Sequence, residues 1–261
     1  MNGILFALAG TLFTFAVTTV GASTIFLIRN ELSNRLQCGF LGFAGGVMVA
    51  ASIWSLLLPG IEFAESNGQI GWITVTSGFV LGVITLLLSD LSIKKWLEKR
   101  QKNHRLPGKG TLMLTAAITM HNIPEGMSIG LAFALAVRTP EDPALFAGAC
   151  ALSLGIAIQN FPEGSAVALP LVKEGFRKRT AFFIASMTAF VEPVFGVLAA
   201  AFAHFAQTSI ALLLAFAAGT MIYVVVEELI PEAHTENDDK SGTLGFIVGF
   251  LIMMILDVAL G

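Results

Sequence analysis

The sequence predicts an all-α membrane protein: eight transmembrane helices in a single domain spanning residues 1–261. Three observations carry that expectation. Hydrophobic residues make up 55% of the chain and charged residues only 13%, with a mean hydropathy of +0.80, which is more apolar surface than a soluble domain could bury. Eight apolar stretches each approach the roughly 20 residues that a spanning helix needs. The basic residues fall almost wholly on alternate connections.

The stretches lie at about 3–28, 38–61, 70–93, 111–137, 145–171, 179–204, 209–231 and 242–260. The first lacks a basic leader and outruns a signal-peptide core, so it reads as a retained helix. The second is rich in Gly and Ala, with Cys38 near its start and Met48 within GFAGGVMVAAS, a composition suited to close helix packing. The third ends in Asp90 and a basic run from Lys94 to Lys109. Into the fourth is set HNIPEG (121–126), and into the fifth, beyond the polar turn RTPEDP (138–143), the related QNFPEG (159–164). AFVEPVFG in the sixth brings Glu192 and Pro193; His204 comes near its exterior end. Glu227 and Glu228 close the seventh, the acidic PEAHTENDD (231–239) comes next, and Asp257 lies near the end of the eighth.

Orientation follows from charge. With the N-terminus outside, every Lys and Arg except Arg138 lies on the cytoplasmic connections, among them Arg29, Arg35, Lys102, Arg105, Lys173 and Lys240. That bias fixes topology and puts both termini outside or in the periplasm of a plasma (inner) membrane. The basic run then acts as an orientation signal beside anionic lipid, and no nucleic-acid partner is expected. Cys38 and Cys150 fall toward opposite faces, which argues against a disulfide. His234 with Glu232, Glu236, Asp238 and Asp239 reads as a solvated helix end, and His204 as an interfacial residue.

Depth separates the two motifs from decoration. Entering from the cytoplasm near Thr111, the fourth helix carries His121 about 15 Å in, near the middle of a hydrocarbon core about 30 Å thick. From the other side, Gln159 and Glu163 lie about 21 to 27 Å along the fifth helix, and Glu192 lies about 20 Å along the sixth. Acids at that depth pair, line a water path or carry function. Three of them converge with a histidine and without a Lys or Arg, so protons or a metal ion must supply the positive charge. The residue types favour a metal, because His and carboxylate suit Zn²⁺ and its first-row neighbours.

Spacing agrees. His121 and Glu125 are i and i+4, as are Gln159 and Glu163, so each pair shares one helix face, with Asn122 and Asn160 on an adjoining one. Pro124, Pro162 and Pro193 should free the carbonyls of Met120, Ile158 and Ala189 and break the helices at midplane. Because consecutive spans run in opposite directions, the matched N-x-P-E-G motifs predict an inverted pseudo-twofold between helices 4 and 5, a transporter arrangement.

HNIPEG, QNFPEG and the Glu-Pro of the sixth stretch resemble the Zrt/Irt-like (ZIP) family of divalent-metal transporters, nearest its GufA-type branch. The resemblance implies Zn²⁺ uptake into the cytoplasm, with Cd²⁺, Fe²⁺ or Mn²⁺ as related cargo. It implies a primary site of His121, Glu125, Gln159 and Glu163. An adjoining site would comprise Asn122, Asn160 and Glu192, with Glu125 or Glu163 bridging. Some relatives carry Asp where this chain has Asn160, so one occupied site with a weak neighbour is expected. Met48 resembles a position that brings a thioether near the metal. Glu227, Glu228 and Asp90 are candidates for the way out and Asp257 for the way in. Oligomeric state is not legible, which leaves a homodimer open.

Two other readings remain in view. An intramembrane zinc metalloenzyme would call for an arrangement such as H-E-x-x-H, which this chain lacks. A proton-driven carrier of an organic substrate would leave the paired i, i+4 ligands unexplained.

Overall fold

The structure is a computed structural model that describes residues 2–27, 33–100, 109–206, 209–234 and 240–260. Arg29, Lys102 and Arg105, on which the orientation partly rests, lie outside the described residues, as do Glu236, Asp238 and Asp239. The described elements are all helical. In chain order they are α1 (Asn2–Ser23) with a 3₁₀ turn (Thr24–Phe26), α2 (Asn34–Ala51), a π turn (Ser52–Leu57) and α3 (Leu58–Ser66). Then come α4 (Gly71–Arg100), α5 (Lys109–Arg138), α6 (Pro143–Lys173), α7 (Lys178–Thr188), α8 (Val191–Phe205) and α9 (Ile210–Val224). A second π turn (Val225–Leu229), α10 (Ile230–Ala233) and α11 (Ser241–Leu260) complete the series.

Local chemistry explains the starts and interruptions. Ser33 caps α2 by accepting from the Leu36 N–H at 3.4 Å, and Asp142 caps α6 by accepting from the Ala144 N–H at 3.1 Å. Pro143 occupies the first turn of α6, where its missing N–H costs nothing. Each π turn lies just ahead of a proline, Pro59 or Pro231. Proline supplies no N–H and its ring crowds the carbonyl one turn back, so the wider turn absorbs the conflict without ending the rod.

Seven helical segments among the described residues are long and apolar enough to cross a bilayer: Gly3–Phe26, Asn34–Ser66, Gly71–Ile93, Pro143–Lys173, Lys178–Phe205, Ile210–Ala233 and Ser241–Ala259. The fourth expected stretch is helical as the 30-residue α5, but the polar residues of HNIPEG at its centre lower its hydropathy. Large apolar side chains face outward along these helices, with Trp72 70%, Phe183 63%, Leu198 57% and Val258 64% exposed. Such a surface suits lipid, while His121, Glu125, Gln159, Glu163 and Glu192 are buried.

The prolines behave differently from the sequence expectation. Pro124 and Pro162 sit inside unbroken α5 and α6, while the sixth stretch, expected as one helix over 179–204, divides into α7 and α8. At that division Ala189 and Phe190 donate to Ser186 and Met187 in tight turns, and the Glu192 N–H takes the Ala189 carbonyl at 3.0 Å. Pro193 cannot serve that carbonyl itself, so the residue before it does, with Glu192 in the first turn of α8.

Packing gathers the motif-bearing helices. α1 and α5 pack on each other and each packs on both α6 and α8; α2 lies on α11 and α4 on α9, and α6 also touches α2 and α11. A large apolar cluster includes Val47, Leu56, Ile129, Ile156, Leu214 and Met253, and a smaller one joins Ile25, Ile118, Val167 and Leu171.

Candidate metal centre

The Gly that closes each motif sets the helix spacing. A Cβ on Gly126 would lie 2.4 Å from the carbonyl oxygen of Glu192, and one on Gly164 would lie 2.1 Å from that of Thr18. Only a residue without a side chain lets α5 press against α8 and α6 against α1 at these points. The residues beside them are thereby brought together. His121, Asn122, Glu125, Gln159, Asn160, Glu163 and Glu192 are all buried, none more than 3% exposed.

Within this group, one ligand atom each from His121, Glu125 and Glu163 lies within 4.8 Å of the others. His121 Nε2 is 3.8 Å from Glu163 Oε1. The two amides orient the acids: Gln159 Nε2 donates to Glu125 Oε1, and Asn160 Nδ2 donates to Glu192 Oε1 at 2.9 Å. That leaves His121 Nε2, Glu125 Oε2, Gln159 Oε1, Asn160 Oδ1, both Glu163 oxygens and both polar atoms of Asn122 without a hydrogen-bond partner. Buried polar atoms are nearly always paired. A cluster of unpaired acceptors this deeply buried is costly, and a bound cation would relieve it. Imidazole nitrogen with carboxylate and amide oxygens is a donor set for Zn²⁺ and other divalent transition metals.

Thr14 was missed in the sequence. Its Oγ1 donates to Glu192 Oε2 across 178 residues. A signal did exist, because Thr11, Thr14 and Thr18 recur at helical spacing and all three are fully buried.

The remaining candidates are dispersed. Glu228 is half-buried and reaches His121, with Oε2 3.3 Å from Nδ1, whereas Glu227 is exposed and Asp90 is half-buried on α4. Met48 is fully buried in the large apolar cluster. Asp257 is buried, accepts from Ser55 Oγ at 2.7 Å, and lines a cavity of about 360 Å³ together with Glu62 and Asp142. His234 is exposed, with its ring nitrogens 2.9 Å from the Ile230 carbonyl and 3.1 Å from the Thr243 hydroxyl, a helix-end arrangement. His204 is exposed and packs on Phe205. Neither Cys38 nor Cys150 is in a disulfide.

Comparison with known proteins places these residues in a lineage. The family described as ZIP Zinc transporter matches residues 108–257, a region that holds HNIPEG, QNFPEG and Glu192. The chain is 33% identical to Zinc transporter ZIP11 of Homo sapiens, covering 98% of this chain and 97% of that protein. It is 34% identical to Zinc transporter GufA of Myxococcus xanthus, covering 97% and 98%. With Zinc transporter ZIPB of Bordetella bronchiseptica it shares 34% identity over 98% of this chain and 82% of the relative. The chain belongs to the ZIP zinc transporter family.

Proposed function

We propose that the protein carries divalent transition-metal ions, Zn²⁺ first among them, across the plasma (inner) membrane into the cytoplasm, through a midplane site that opens to each side in turn. His121, Glu125, Gln159 and Glu163 hold the ion. The observation that carries this reading is the convergence of ligand atoms from His121, Glu125 and Glu163 within 4.8 Å, in helices that hold no Lys or Arg between Lys109 and Arg138, between Pro143 and Lys173, or between Arg179 and Lys240. Relatives named as zinc transporters support Zn²⁺ as the cargo; Cd²⁺, Fe²⁺ and Mn²⁺ share its ligand preferences.

Around that site, α5 serves as the eighth span. α5 and α6 are related by an inverted pseudo-twofold, residues 1–261 form a single transmembrane domain, and both termini lie outside in accord with the basic residues. Asn122, Asn160 and Glu192 make an adjoining, weaker site, with Met48 nearby as an auxiliary thioether. Asp257 serves the way in. Glu228 takes the ion from His121 on the way out, toward Glu227 and Asp90. Every ligand comes from one chain, so each protomer works by itself whether or not two copies pair.

Uptake into proteoliposomes tests this reading. Zn²⁺ should accumulate inside vesicles without any peptide cleavage. Cleavage of peptides, or proton flux in the absence of metal with no ion movement, would replace transport with the metalloenzyme or the proton-driven carrier.

A further inference from the structure

We infer that Thr14 is a positioning residue for Glu192: with Asn160 it ties off that carboxylate, so that the ion at His121, Glu125, Gln159 and Glu163 is held alone. The inference rests on the metal-transport reading above. Glu192 is fully buried, and both of its oxygens are engaged, Oε1 by Asn160 Nδ2 at 2.9 Å and Oε2 by the Thr14 hydroxyl. Glu163, one turn along α6 from Asn160, has neither oxygen hydrogen-bonded. Two acids at the same level are thus provided for differently. A buried carboxylate must find donors or a cation, and Glu192 already has donors from two helices.

The placement of Thr14 is specific. Its neighbours on the same face spend their hydroxyls on their own helix, Thr11 donating to the Ala7 carbonyl at 2.7 Å and Thr18 to the Thr14 carbonyl at 3.1 Å. The Thr14 hydroxyl also lies 3.0 Å from the Thr11 carbonyl, but it has a single proton, and a carboxylate oxygen is the stronger acceptor. The helix contacts hold it there, since Gly164 abuts the Thr18 carbonyl and Gly196 abuts the Thr11 methyl. Thr14 therefore joins α1 to α8 through Glu192, while Asn160 joins α6 to the same carboxylate. Neither donor carries charge, so the adjoining site is satisfied without a second ion.

Calorimetric titration of the purified full-length protein with Cd²⁺, paired with Zn²⁺ uptake in proteoliposomes, tests this. Wild type should take one tight equivalent. Thr14→Val keeps the shape and removes the donor; a second equivalent should then bind about tenfold more tightly, the scale of one hydrogen bond to a charged group, and KM and Vmax for uptake should fall together. Thr14→Ser should restore wild-type behaviour. Thr14→Cys, a weaker donor, should fall between and decides the matter if the valine variant does not fold. In a Glu192→Gln background, Thr14→Val should change nothing further. A folded Thr14→Val with wild-type titration, KM and Vmax overturns the inference, as does an equal effect with and without the Glu192 carboxylate. A wild type that binds no metal overturns the transport reading instead.

Discussion

His121 Nδ1 lies 3.3 Å from Glu228 Oε2, a contact across 107 residues that joins α5 to the second π turn. The ring's other nitrogen is turned toward Glu163, 3.8 Å away. A carboxylate on one imidazole nitrogen fixes the tautomer and leaves the other free for a metal. Half-buried Glu228 thus touches the buried cluster, and Glu227, next to it in the chain, is exposed.

Glu228→Gln should therefore slow release more than it weakens capture. Outer partners of metal ligands typically contribute 10- to 100-fold, so a loss of about tenfold in Vmax is expected, with KM moving less. Initial-rate Zn²⁺ uptake in proteoliposomes measures both. A fall in affinity with unchanged Vmax would assign Glu228 to binding instead.

Removing a ligand of the primary site should abolish transport. His121→Ala and Glu163→Ala are expected to insert, fold and elute like the wild type while uptake drops to the level of empty vesicles. Unchanged uptake in either one removes that residue from the site.

Acid should inhibit. The ligands bind metal only when deprotonated, so protons and metal compete and uptake must fall as pH falls. Lowering the external pH from about 7.5 to about 5 at fixed Zn²⁺ should lower the rate. A flat profile would separate protonation of the site from the limiting step.

Backbone contact at the motifs should appear as stability. Gly164→Ala forces a Cβ to 2.1 Å from the Thr18 carbonyl, and overpacking of this kind costs about 1–3 kcal/mol. Gly148, on the same helix, meets nothing within 4 Å, so Gly148→Ala should unfold at or slightly above the wild-type temperature. Thermal unfolding in detergent compares the two.

Asn160→Asp exchanges a donor for a charge beside Glu192 and Glu163. Metal stoichiometry should rise from about one toward two, and turnover should fall or stay level, because an ion that is held too tightly leaves slowly. Titration and uptake on the same preparation check both halves; two tight equivalents in wild type would show the amide to be an adequate ligand.

Much of the architecture was legible in the chain. Apolar length is a one-dimensional property, so the seven spans among the described residues could be read directly, and i, i+4 spacing alone placed His121 with Glu125 on one helix face and Gln159 with Glu163 on another. The effect of each proline could not be read. Pro124, Pro162 and Pro193 look alike in sequence, yet of the three only the last accompanies a helix break. Thr14 was hidden as well: its partner is 178 residues away, and a hydroxyl in a membrane helix usually bonds to its own backbone, as Thr11 and Thr18 do. The reach of Glu228 to His121 likewise depends on two helices meeting.

The π turn at Val225–Leu229 also sets the angular register of the chain beyond it. Each residue advances an α-helix by about 100°, so a turn that holds one residue more than α geometry would is a rotational adjustment between the α9 side of the rod and the α10 side. Tightening it to α would swing the later side chains by about that angle, and would rewind the turn that itself carries Glu228 to His121. The same accounting applies to Ser52–Leu57, beyond which the chain leads to Glu62. In both rods, loosened winding near a proline makes direction a local property: the helix can aim its acids without moving its axis.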